Sequence, residues 1–139
     1  MAQDDNFYTL KGYSLLEHTR ITSSMEDYLE MIYRLHQEGQ PVRIKVLAGR
    51  LHVKPSSASK MTGNLKKQNL VAFEKYGTVS LTENGLRLGE YLLFRHQVLH
   101  RFFRYVNQSA DELEQVEKVE HFMEPKTVYN IQKWLDKFT

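Results

Sequence analysis

Apolar residues recur at three- and four-residue spacing along most of this chain, in runs separated by short polar or Gly/Pro breaks, which predicts a mainly α-helical fold. Met25, Tyr28, Leu29, Ile32 and Leu35 mark a first helix that opens at Thr22-Ser23-Ser24 and runs to about Gln37, with Ser23 and Glu26 fitting a capping box. Residues 1–22 carry Phe7, Tyr8, Tyr13, Leu15 and Leu16 without a clear period and read only as an N-terminal arm of unknown role. After the break at Gly39-Gln40-Pro41, residues 42–51 read as a short helix and His52-Val53-Lys54 as a turn. Pro55 then sits at the first position of a second helix. On that helix Ala58, Met61 and Leu65 face inward, while Ser56, Ser57, Ser59, Lys60 and Thr62 crowd its beginning.

Residues 70–82 contain two strand-like runs around Lys75-Tyr76-Gly77, a hairpin pattern. A short helix, a tight turn, a polar and basic second helix and then a hairpin together predict a winged helix-turn-helix over residues 23–82. In that arrangement Ser56, Ser57, Ser59 and Lys60 face the major groove of DNA, and Arg43, Lys54 and Lys75 meet phosphates. Tyr76 stands beside Lys75 at the wing tip.

Residues 83–139 predict a helical second domain. A long helix starts at Thr82-Glu83-Asn84-Gly85 and continues to about Asn107, with Leu88, Leu92, Leu99, Phe102, Phe103 and Val106 on a broad apolar face. Ser109 and Glu112 fit a capping box for the next helix, whose stripe is Leu113, Val116, Glu120 and Met123. Glu124-Pro125 interrupts, and Val128, Ile131, Leu135 and Phe138 mark a last helix. These faces exceed what a small winged helix can cover, so a homodimer interface is expected.

Composition narrows the chemistry. The chain has 139 residues, no Cys and a net charge of +2, so disulfides, thiolate metal sites and cysteine nucleophiles are excluded, and any metal would meet oxygen and nitrogen donors only. No apolar run approaches the roughly 20 residues of a membrane helix, and the N-terminus lacks a signal-peptide pattern, so a cytoplasmic protein without membrane contact is expected.

The candidate chemistry centres on Glu117, Glu120 and His121, which an unbroken helix would project from one side, with Glu120 on the apolar stripe. Asp27 and Glu30, three apart on the first helix, and His96 on the face of the long helix offer partners. Each has an ordinary reading alone: surface carboxylates, first-turn acids favoured by the helix dipole, a core histidine. Together they are less ordinary, because core-facing stripes penalise unpaired charge.

From about Ser23 to Phe138 the chain resembles the DtxR/MntR family of metal-dependent transcriptional repressors. The resemblance rests on Ser24-Met25-Glu26-Asp27-Tyr28-Leu29-Glu30, Pro55-Ser56-Ser57-Ala58-Ser59-Lys60-Met61, Glu74-Lys75-Tyr76, Arg95-His96 and Val116-Glu117-Lys118-Val119-Glu120-His121. It implies that Asp27, Glu30, His96, Glu117, Glu120 and His121 form the manganese-type ligand set. Iron-type relatives place Met and Cys where Asp27 and Glu117 stand here, and the hard oxygen donors suit Mn²⁺. It also implies the absence of the SH3-like third domain of the iron-type members.

The function expected is therefore that of a homodimeric repressor of metal-uptake genes, activated by Mn(II) with two ions per subunit and bound to a roughly palindromic double-stranded operator. The alternative is a winged-helix regulator that responds to another divalent metal or to a non-metal signal. A dinuclear metal enzyme is disfavoured, since the chain contains neither H-E-x-x-H nor E-x-x-H.

Overall fold

The computed structural model describes residues 21–74 and 77–138. Its element order is α1 (Ser23–Gln37), β1 (Val42–Arg43), α2 (Ile44–Leu51), α3 (Pro55–Lys67), β2 (Val71–Phe73), β3 (Thr78–Leu81), α4 (Glu83–Asn107), α5 (Leu113–Val119), a 3₁₀ turn (Glu120–Phe122) and α6 (Pro125–Phe138). The chain divides into two compact units at Tyr91/Leu92, a boundary that falls inside α4. No helix among the described residues is long and apolar enough to cross a membrane.

In the first unit α1 buries Met25, Tyr28, Leu29, Ile32, Tyr33 and Leu35, the face its spacing predicts. Its cap differs by one residue from the expected Ser23. Thr22, in an extended conformation, accepts the Met25 N–H on its hydroxyl at 3.2 Å, which makes it the cap in a run of three hydroxyl residues. Glu26 is consequently a buried first-turn acid rather than half of a box with Ser23.

The expected helix over residues 42–51 is also corrected. Val42 and Arg43 form a short strand that pairs antiparallel with β3, Val42 opposite Val79, so the wing belongs to a three-stranded sheet of order β1-β3-β2. Two paired residues suffice here because Val42 and Val79 bury their side chains together with Val71. α2 then runs into a turn where His52 adopts the left-handed conformation and Val53 N–H reaches back to Ala48 O at 3.0 Å, a common helix stop. Lys54 is extended, as the residue before a proline prefers, and Pro55 opens α3.

α4 meets the first unit through two glycines one turn apart. At Gly85 a side chain would collide with the backbone carbonyl of Leu70, and at Gly89 a Cβ would lie 2.8 Å from Tyr33 Cβ. The same corner is tied by Thr82, whose N–H donates to Leu70 O at 3.1 Å and whose hydroxyl accepts the Gly85 N–H at 3.0 Å. Burial, and then the nearby Glu90 charge, push the Tyr33 phenol above its ordinary range, with a hydrogen bond to Gln37 in opposition, so it stays neutral against Gly89.

In the second unit Leu92, Val98, Leu99, Val116, Val128 and Leu135 are buried. The tilted rings of Phe94 and Tyr129 lie with centroids 5.5 Å apart, and Arg101 donates to Asp136 at 3.1 Å, joining α4 to α6. On the broad apolar face of α4, Val106 is exposed and Phe102 and Phe103 are half-buried in the single chain. Two expectations for this region change. α5 begins at Leu113 with no side-chain bond from its cap Glu112, so Ser109 does not start it, and Leu113 itself is exposed. The helix also ends at Val119 instead of continuing through Met123.

Candidate metal centre and nucleic-acid interface

The donors in the second unit come from three consecutive elements. His96 projects from α4; Glu117 lies in α5, and Glu120 and His121 follow in the 3₁₀ turn. That turn replaces the single helix face expected for Glu117, Glu120 and His121, because the tighter winding re-aims residues after Val119. Glu120 is the buried one, at 2% exposure, whereas Glu117 is exposed and His121 half-buried. The structure brings His96 and Glu120 together: His96 Nδ1 lies 3.3 Å from Glu120 Oε1. A buried carboxylate is costly unless paired, and this contact supplies part of the pairing.

Arg95, adjacent to His96, was not singled out by spacing, and a charged residue is normally placed at the surface. It is 1% exposed, with Nη2 3.4 Å from His121 Nδ1. An arginine only donates, so this contact sets His121 Nδ1 as the acceptor and places fixed positive charge beside a candidate donor. The only advance signal was its place in the Arg95-His96 pair.

In the first unit Asp27 is exposed and Glu30 half-buried on α1. Glu30 Oε2 accepts from Arg34 Nη2 at 2.6 Å and Nε at 3.0 Å, an i,i+4 pair typically contributing about 0.3–0.5 kcal/mol. The donor set of carboxylates and imidazoles fits a divalent cation of hard or borderline character, and nothing in it selects a soft one. When bound, such an ion supplies positive charge to the carboxylates that hold it.

The residues expected to face DNA also lie in the first unit. Ser56, Ser57, Ser59 and Lys60 are exposed on α3, and Lys54 and Arg43 are exposed beside them. No acid occupies the first turn of α3, so its N-terminal dipole remains open to anions. Thr62 departs from the expectation that it joins this polar face. It is fully buried and bonds Ala58 O at 2.7 Å, folding its hydroxyl back onto the helix. Lys75 and Tyr76 lie outside the described residues; next to them Gly77 takes a φ of +76°, and Glu74 accepts from Ser80 Oγ at 2.9 Å. Lys66 Nζ sits 5.4 Å from the centroid of the exposed Phe73 ring.

Comparison with known proteins places both units. Residues 20–79 match the family described as iron dependent repressor, N-terminal DNA binding domain, and residues 82–139 match its metal binding and dimerisation domain. The HTH-type transcriptional regulator MntR of Geobacillus kaustophilus is 39% identical over 103 residues, 73% of each chain. MntR of Bacillus subtilis is 38% identical over 103 residues, 73% of this chain and 72% of that protein. Among solved structures, the manganese regulator SloR superposes with a TM-score of 0.72 and the metal-dependent transcriptional regulator MtsR with 0.73. Both are 26% identical over 81% of this chain and 53% of theirs. The chain thus spans about half the length of those two chains. With both domain types matched in order, the chain belongs to the iron dependent repressor family and is a metal-dependent, DNA-binding transcriptional repressor rather than an enzyme.

Proposed function

We propose that this protein is a cytoplasmic, homodimeric repressor whose operator binding is activated by Mn²⁺, with Asp27, Glu30, His96, Glu117, Glu120 and His121 as the metal-holding residues. The observation that carries it is the buried Glu120 carboxylate held 3.3 Å from His96 Nδ1 in a chain without cysteine. The names of the MntR and SloR relatives support manganese as the ion.

Charge sets the stoichiometry. Asp27, Glu30, Glu117 and Glu120 are four carboxylates, so two divalent ions per subunit balance them while His96 and His121 contribute neutral nitrogens. Without the ions, like charges brought together in such a centre repel, and Arg34 pairs with Glu30. Asp27 and Glu30 belong to the unit that carries the reading helix, and the other four to the unit after it. Their shared neutralisation therefore favours the DNA-competent spacing of the two reading helices in the dimer. A titration followed by electron paramagnetic resonance of free Mn²⁺ tests this, with saturation expected at two ions per subunit. Saturation at one would remove the charge-balance argument.

The dimer face is assigned to the aromatic surface of α4 and α6. Phe102, Tyr105, Trp134 and Phe138 form a continuous set, with Trp134 5.7 Å from Tyr105 and 4.8 Å from Phe138 between ring centroids, and three of the four are exposed in the single chain. Sedimentation at micromolar concentration is expected to give a dimer with or without metal.

On DNA, Ser56, Ser57, Ser59 and Lys60 read base edges in a roughly palindromic operator, and Arg43, Lys54, Lys75 and Tyr76 hold the backbone. Lys60→Ala is expected to weaken operator binding roughly 5- to 150-fold, the range of a lost base contact of about 1–3 kcal/mol, while binding to random duplex falls much less. Equal losses on both duplexes would reassign Lys60 to phosphate.

A further inference from the structure

α5 is seven residues long and the side chain of its cap Glu112 makes no capping bond to the helix, so it is far too short to hold itself in water. Yet this segment carries Glu117 and delivers Glu120 and His121. Its beginning is held from α4. One turn beyond His96, His100 Nε2 accepts the backbone N–H of Glu112 at 3.1 Å. The next amide, Leu113 N–H, is accepted by Asp111 Oδ1 at 2.9 Å, and Asn107 Nδ2 donates to Glu112 Oε1 at 2.6 Å. The loop before it turns through Gln108 in the left-handed conformation, with Ser109 N–H bonded to Arg104 O at 3.1 Å.

The two histidines thus hold opposite ends of one segment, His100 at Glu112 and His96 at Glu120. A backbone N–H only donates, so the ring nitrogen facing it carries a lone pair, and the neutral ring bears its proton on Nδ1. Asp111 Oδ1 is 3.6 Å from Nε2, beyond hydrogen-bond range, and is already engaged by Leu113. With Nε2 occupied by Glu112, His100 offers that nitrogen to no ion.

We propose that His100 is a positioning residue for the metal centre: by accepting the Glu112 N–H it fixes the start of α5 and so the reach of Glu117, Glu120 and His121 toward His96. This rests on the reading of those four as ligands. Groups that orient ligands from behind typically change metal affinity 10- to 100-fold when removed, which sets the scale.

The test uses the full chain as wild type, His100→Ala and His100→Gln, since glutamine restores an acceptor without an imidazole. In metal-free protein, amide hydrogen exchange is read at Glu112 and Leu113; Mn²⁺ affinity is read by paramagnetic resonance of the free ion. His100→Ala is expected to lose protection at both amides and to bind Mn²⁺ about 10- to 100-fold more weakly. His100→Gln is expected to recover protection and bind within a few-fold of wild type. Wild-type affinity in His100→Ala overturns the proposal. So does weak binding by His100→Gln with the Glu112 amide protected, since that makes the imidazole itself a ligand. If His100→Ala does not fold, the glutamine variant decides alone by the same two readouts. A wild type that takes up no Mn²⁺ defeats the ligand reading itself, which distinguishes that failure from this one.

Discussion

Glu120→Ala is expected to leave a folded dimer whose operator affinity no longer responds to Mn²⁺. Glu120 is the buried carboxylate of the set and the partner of His96 Nδ1, so its removal takes one charge from the centre and the group that orients the imidazole. Coupling between two sites of one protein is typically about 1–3 kcal/mol, a roughly 5- to 150-fold change in affinity, and the variant should reduce that factor to near one. Glu120→Gln separates charge from packing: it keeps the volume and a hydrogen-bonding oxygen, and should lose activation as well. Circular dichroism and sedimentation verify the fold, and operator titrations with and without Mn²⁺ give the factor. Full activation in either variant would remove Glu120 from the centre.

The second large effect is on stability. Gly85→Ala should destabilise the first unit by about 3 kcal/mol or more, the upper range for overpacking, because the new Cβ meets the Leu70 carbonyl, lying 2.9 Å from its carbon and 3.2 Å from Leu81 Cδ2. Backbone cannot rotate away as a side chain does, and Thr82 bonds hold both sides of the contact. At roughly 3 °C per kcal/mol for a chain of this size, the melting temperature should fall by about 10 °C. An ordinary helix interior predicts the reverse, since Ala there is favoured over Gly by about 1 kcal/mol. A stabilised Gly85→Ala protein would contradict the close approach of α4 to Leu70.

Gly85 also shows where sequence reading stops. Helical periodicity located α1, α3, α4 and α6 because their buried faces repeat over several turns, and Pro55 and the Gly39-Gln40-Pro41 break fixed boundaries through backbone sterics. β1 escaped it because two residues cannot display a period, and its pairing with Val79 joins positions far apart in the chain. The change to a 3₁₀ turn at Glu120 escaped it because Val116 and Glu120 continue a helical spacing, with no glycine or proline before Pro125. Hydroxyls at Thr22, Ser23 and Ser24 are chemically equivalent as caps, so propensity could not rank them.

For the candidate site, Glu120's burial was legible, since a carboxylate on an apolar stripe needs a partner, and His96 on the face of α4 offered one. Arg95 and His100 were not. A buried arginine and a histidine bonded to a distant backbone amide depend on tertiary placement that leaves no local pattern. Thr62 was misplaced because threonine reads as polar until its hydroxyl finds the carbonyl one turn back.

The central claim is that Mn²⁺ occupancy and operator binding are coupled, and one titration reaches it most directly. An operator selected from a random duplex pool, with selection run both in Mn²⁺ and in chelator, is titrated with the wild-type dimer at fixed ionic strength under each condition, with Fe²⁺ and Zn²⁺ in parallel. The prediction is affinity roughly 5- to 150-fold tighter in Mn²⁺ than in chelator. Operator affinity that is the same in Mn²⁺ and in chelator would contradict it and leave a winged-helix regulator that answers to another signal.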